Sequence, residues 1–96
     1  MQFMTVSRRK SESFTDEQFA AIRESEADRV RALYKDGFVR HIWFRSDAPG
    51  ACILWEAESS QQVRDLTATL PFYKAGMLEI VQVMTLEPYS GFGPRG

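Results

Sequence analysis

"GFVRHIWFRSDAPGACILWEAE", Gly37 to Glu58, holds two strand-like runs separated by a turn. Phe38–Ser46 is dense in aromatic and β-branched residues, Asp47–Gly50 is a Pro/Gly turn, and Ala51–Glu58 resumes the same character. The pattern predicts an antiparallel hairpin. Upstream, the period changes to that of a helix. Thr15 stands as N-cap with Gln18 three residues later, the capping-box spacing, and Phe14 and Phe19 are placed as a hydrophobic staple. Asp16 and Glu17 suit the positive end of the helix dipole, and Gly37 supplies a left-handed residue beyond the last turn. A helix is therefore expected from Thr15 to about Asp36. Before it, "QFMTVSR" reads as a strand over residues 2–9. After the hairpin, Ser59 and Gln62 repeat the capping pattern, and Val63, Leu66 and Leu70 form one side of a shorter helix that Pro71 ends. "FYKAG" is expected to be a loop, Met77–Leu86 the last strand, and residues 89–96 a flexible or partner-contacting tail on a single domain of residues 1–88.

The order β-α-β-β-α-β predicts a ferredoxin-like α+β fold: a four-stranded antiparallel sheet with two helices on one face. Simple alternation places Phe38, Ile42 and Phe44 opposite Val39 and Trp43. It places Ala51, Ile53 and Trp55 opposite Cys52 and Leu54, and Leu78, Ile80, Met84 and Leu86 opposite Val81 and Val83. Both faces are apolar, whereas a sheet with one wet face alternates more cleanly. Two helices cover one face only. The expectation is a homodimer whose sheets pack face to face as a dimeric α+β barrel.

Bulk properties narrow the function classes. The chain has 96 residues, 44% hydrophobic and 12% aromatic, which suits one folded domain. A net charge of −1 argues against a nucleic-acid partner, and no stretch approaches a membrane span. Arg8-Arg9-Lys10 reads as a solvated strand end. Cys52 is the only cysteine and "MQFMTVSRRK" has no apolar signal core, so a cytoplasmic protein is expected. His41 is the only histidine and nothing stands at ligand spacing around it, so no metal is expected.

One residue breaks the helix pattern. At about 100° per residue, Phe19, Ile22, Val30 and Leu33 fall within roughly 40° of Glu26. A carboxylate in an apolar stripe needs a partner, or its pKa rises. Arg40 and His41 open the next strand, and either is a candidate partner; neighbours on a strand point to opposite faces, so only one of them can meet the helix. Structurally, the arrangement reads as a buried pair that fixes helix on sheet. Chemically, it reads as a general base in a small apolar pocket, with a cation to hold a developing enolate. Trp43, Trp55, Tyr34, Phe72 and Tyr73 read as core or pocket wall, with the Tyr73 hydroxyl able to bind a ligand.

Glu26, Gly37, the Arg40–Trp43 motif "RHIW", and Leu70-Pro71 before a short aromatic loop and final strand resemble the muconolactone Δ-isomerase family. The spacing from the Glu to the Gly and to Arg-His-x-Trp matches without a gap, and the resemblance runs from about Glu17 to Leu86. It implies a dimeric α+β barrel and a cofactor-free enzyme that moves a proton along a small unsaturated lactone in aromatic catabolism. It places the acid/base carboxylate on Glu26 and catalytic partners on Arg40 and His41. Trp43, Phe72, Tyr73, Arg23 and Arg29 are then expected around the substrate. The loop "FYKAGM" and the tail "EPYSGFGPRG" depart from the family pattern, which leaves the substrate open to another lactone or enone. Two other functions fit the same fold: a cofactor-independent monooxygenase or polyketide cyclase, and a non-catalytic dimer that binds a small ligand.

Overall fold

The computed structural model describes residues 1–92 of the chain. Its elements are β1 (Gln2–Arg9), α1 (Asp16–Lys35), β2 (Val39–Phe44), β3 (Ala51–Glu56), α2 (Ser60–Thr67), α3 (Pro71–Lys74) and β4 (Leu78–Leu86), followed by a 3-10 turn at Ser90–Phe92. The expected tail of residues 89–96 lies partly outside the described residues. Among the described residues, no helix is long and apolar enough to cross a membrane.

Local signals set these boundaries. The Thr15 hydroxyl accepts the Gln18 N–H at 3.2 Å, and the Gln18 side chain accepts the Thr15 N–H at 2.7 Å. A cap of this kind contributes about 1 kcal/mol. Phe14 meets Phe19 edge-on at 6.1 Å, closing the staple. Gly37 ends α1 with φ of 87°. At α2 the Ser59 hydroxyl accepts the Gln62 N–H at 3.1 Å, but the Gln62 side chain accepts from Glu58, one residue before the cap, at 2.8 Å.

The sheet order is β2-β3-β1-β4, all antiparallel. This is the ferredoxin-like arrangement, with the helices on one face. Phe3, Val39, Ile53 and Trp55 from that face meet Leu33 of α1 and Val63 of α2, with Ala57 and Leu70 closing the core.

Two bulges correct the expected strand faces. The β2–β3 register shifts between Val39 and His41. Val39 opposite Trp55, Ile42 opposite Ile53 and Phe44 opposite Ala51 therefore share the helix-side face, while His41 opposite Leu54 and Trp43 opposite Cys52 share the other. The β1–β4 register shifts between Val6 and Ser7. Leu78, Ile80 and Val83 then join the helix side, and Met84 joins Met4 on the open side. An extra residue in one strand reverses the parity beyond it. Both faces remain apolar, as the sequence implies, with different memberships.

The stretch expected to be a loop holds a helical turn. α2 ends at Thr67 with Ala68 as its C-cap, short of the expected stop at Pro71, so Leu70 lies beyond it. Pro71 instead starts α3, occupying its first turn where a missing N–H matters least.

Candidate active site

A cavity of about 360 Å³ lies between α1, the turn after α2 and the helix-side face of the sheet. Its walls are mainly apolar: Ala27 and Val30 from α1, Ile53 from β3, Leu70 and Phe72, and Leu78 and Ile80 from β4. Ile42 and Phe44 line its β2 end, where Phe44 is 90% exposed, so the cavity opens there. The volume lies in the range of small-molecule sites.

Glu26 lines this cavity and is half-buried. Helical phase brings it there, on the same stripe as Phe19 and Leu33. Its partner is neither Arg40 nor His41. The backbone N–H of Phe72 donates to Glu26 Oε1 at 3.0 Å. Leu70, the N-cap of α3, has no side-chain oxygen to satisfy the first turn. The carboxylate of α1 supplies the acceptor from across the gap. Burial nevertheless pushes the Glu26 pKa above its ordinary value, and the Phe72 hydrogen bond only partly opposes that rise. Among the described residues no cation bonds to the carboxylate.

Of the other expected site residues, Phe72 and Arg23 line the same cavity. Phe72 packs edge-on to Phe19 at 5.7 Å. Arg29 lies beside the cavity wall instead, where its Nε donates to Thr69 Oγ1 at 2.9 Å and ties α1 to the segment after α2. Tyr73 sits in a separate depression with Arg64, Thr67, Val81 and Val83. His41 and Trp43 lie on the open face of the sheet, their rings 4.2 Å apart and edge-on. Arg40 is exposed within the β2 bulge. The expected pairing of Glu26 with Arg40 or His41 is thus absent within the chain: the bulge turns His41 to the far face.

The cavity also holds groups that sequence reading passed over. Arg9, read as part of a solvated strand end, places its guanidinium 5.5 Å from the Phe19 ring centroid and lines the cavity. Arg31 lines it too and is paired with Asp28. Thr5 and Ser7, inward-facing on β1, line it from the sheet. For Thr5, Ser7 and Arg9 the signal is strand parity, since they share one face of β1 with Phe3. At Gly50, a Cβ would lie 2.0 Å from the Ser7 carbonyl oxygen, so only glycine lets the hairpin turn approach β1 there. Among the described residues, no group of three or more His, Cys, Asp or Glu could hold a metal ion.

With this geometry in place, the muconolactone delta-isomerase family model matches residues 1–90. The chain belongs to that family. Membership makes it one of a family of small-molecule enzymes. A comparison with curated proteins gives no match. Among solved structures, 5-chloro-2-hydroxyhydroquinone dehydrochlorinase from Burkholderia phenoliruptrix AC1100, in complex with 2,5-dihydroxybenzoquinone, superposes with a TM-score of 0.76 at 17% identity. The match covers 95% of this chain and 98% of that one. The likeness shows that the fold is shared along nearly the whole of both chains.

Proposed function

We propose that the chain is an isomerase of small unsaturated lactones or related enones, with Glu26 as its only acid/base group. The observation that carries this reading is a carboxylate half-buried in an apolar cavity, its pKa raised by burial and its orientation held by one backbone N–H. Such a group is poised to take a proton from carbon and to give it back.

In the reaction, Glu26 removes a proton from the γ-carbon of an α,β-unsaturated lactone. The C–H electron pair moves into the ring, and the double bond and carbonyl become a dienolate. Protonated Glu26 then delivers the proton to the α-carbon, the carbonyl reforms, and the double bond has moved by one position. Atoms and electrons balance without an oxidant, reductant or cofactor. The apolar walls keep solvent from the dienolate and shorten the path of the returning proton. Arg9 and Arg23 give the cavity positive charge suited to a substrate that carries a carboxylate.

A homodimer completes this reading. The open face presents Met4, Leu54, Trp43 and Met84, with Trp43 45% exposed among the described residues, and the same face of a second copy would bury them. His41 and Trp43 would then lie in the dimer interface. A cytoplasmic location suits the lone Cys52.

Loss of chloride initiated by the same base is a second reading, supported by the name of the structural relative. The first test is incubation with (+)-muconolactone, with the products followed by NMR. Conversion to the enol-lactone by wild type, and its loss in Glu26→Gln, is the expected result. Conversion at the wild-type rate by Glu26→Gln would overturn the assignment.

A further inference from the structure

We propose that the Thr5 hydroxyl donates the hydrogen bond that holds the enolate oxygen of the substrate. The role rests on the Glu26 reading, because an enolate forms only if a base acts, and it supplies what that reading lacks. Arg40 and His41 lie outside the cavity, and the reading gives Arg9 and Arg23 to the substrate's carboxylate, so the charge that develops on the enolate oxygen calls for a further donor.

Thr5 lies in the middle of β1, an interior strand flanked by β3 and β4, on the cavity floor. It is 3% exposed, and its register partners are the apolar Ile53 and Val83. Its oxygen accepts the indole N–H of Trp55 at 2.9 Å, and Trp55 is wholly buried. An indole N–H can only donate, so the direction of this bond is fixed by chemistry. The Thr5 oxygen is the acceptor, and its own proton must point elsewhere. Among the described residues no oxygen accepts that proton, although buried donors are generally paired. The cavity is the space the proton can reach, and Glu26 lines the same cavity.

The arrangement is that of a preorganised donor. The bond from Trp55 blocks one of the positions the hydroxyl proton could take before substrate arrives, and the surrounding apolar wall strengthens a hydrogen bond to developing charge. A carbonyl oxygen seated against Thr5 would gain a bond that tightens as charge moves onto it, which lowers the barrier more than it strengthens ground-state binding.

A binding experiment tests this without depending on turnover. The probes are 4-nitrophenolate, a planar oxyanion, and its neutral counterpart 4-nitrotoluene. Thr5→Val alone leaves the Trp55 N–H without an acceptor, so a double variant, Thr5→Val with Trp55→Phe, removes both partners and avoids an orphaned buried group. The double variant is expected to bind 4-nitrophenolate about 10-fold more weakly than wild type while binding 4-nitrotoluene equally well. Trp55→Phe alone, which keeps the hydroxyl, should retain most of the phenolate affinity. A merely structural Thr5 would weaken both probes alike, and that result overturns the assignment. Equal phenolate binding by wild type and the double variant also overturns it, as does a wild type with no preference for the phenolate. Glu26→Gln should bind the phenolate more tightly, because a like charge is gone, with the Thr5 dependence intact. Failure of Glu26 as base and failure of Thr5 as donor are thereby read separately.

Discussion

The Glu26 carboxylate, on the long helix, accepts the backbone N–H of Phe72, the second residue of a helix four residues long, at 3.0 Å. This contact ties α1 to α3 and aims the carboxylate into the cavity. It also fixes a sign for the dependence of stability on pH. Burial raises the Glu26 pKa in the folded state above its unfolded value. Between those two values the folded chain binds more protons than the unfolded chain, so this group's contribution falls as pH rises through the window. The effect is fully expressed above the folded-state pKa, where the buried group is charged. Glu26→Gln is expected to flatten this part of the pH–stability curve and to be at least as stable as wild type at neutral pH. Urea midpoints measured between about pH 4 and pH 8 check it. A variant that loses stability most at neutral pH would show that the charged form is favoured by the fold.

The same contact explains how far the sequence could be read. Helical phase alone identified Glu26 as out of place, because α1 is long and well capped and its period is regular. The partner could not be read, since a backbone N–H carries no residue-type signal and α3 is too short to show a period. That neither Arg40 nor His41 meets Glu26 is not legible in the sequence for a related reason. One additional residue at the β2 bulge reverses strand parity, and nothing in "FVRHIWF" marks where it falls. The strands themselves, and the apolar character of both sheet faces, were legible because the hairpin and the β4 run are dense in apolar residues on either parity.

Gly50→Ala tests how closely the hairpin approaches β1. The new Cβ would meet the Ser7 carbonyl oxygen, 2.0 Å away, a backbone atom that cannot rotate aside. The expected loss is roughly 1–3 kcal/mol or more, read as a lower urea midpoint. An unchanged midpoint would mean that β1 and the turn are not in contact at this point.

Trp43→Lys tests the open face. Trp43 is 45% exposed in the single chain and stands beside His41 among apolar neighbours. Light scattering at micromolar concentration should give wild type a mass near twice 11.0 kDa or a larger multiple, and the variant a mass near 11.0 kDa. A wild-type mass of one chain would remove the face-to-face dimer.

Arg9→Met tests the charge of the cavity. The guanidinium stacks on Phe19 and, among the described residues, pairs with no carboxylate. The substitution keeps much of the stem's packing and removes the cation. For a substrate bearing a carboxylate, KM should rise about 10-fold with kcat little changed. Equal KM values for the two proteins would place the substrate's charge elsewhere.

The central claim is that Glu26 moves a proton to and from carbon. The most direct measurement is hydrogen–deuterium exchange at the γ-carbon and α-carbon of (+)-muconolactone in D₂O, followed by proton NMR, with wild type and Glu26→Gln side by side. Enzyme-dependent exchange or isomerisation by wild type, reduced at least about 100-fold in a folded Glu26→Gln protein, is the predicted result. Equal rates for the two proteins would contradict it.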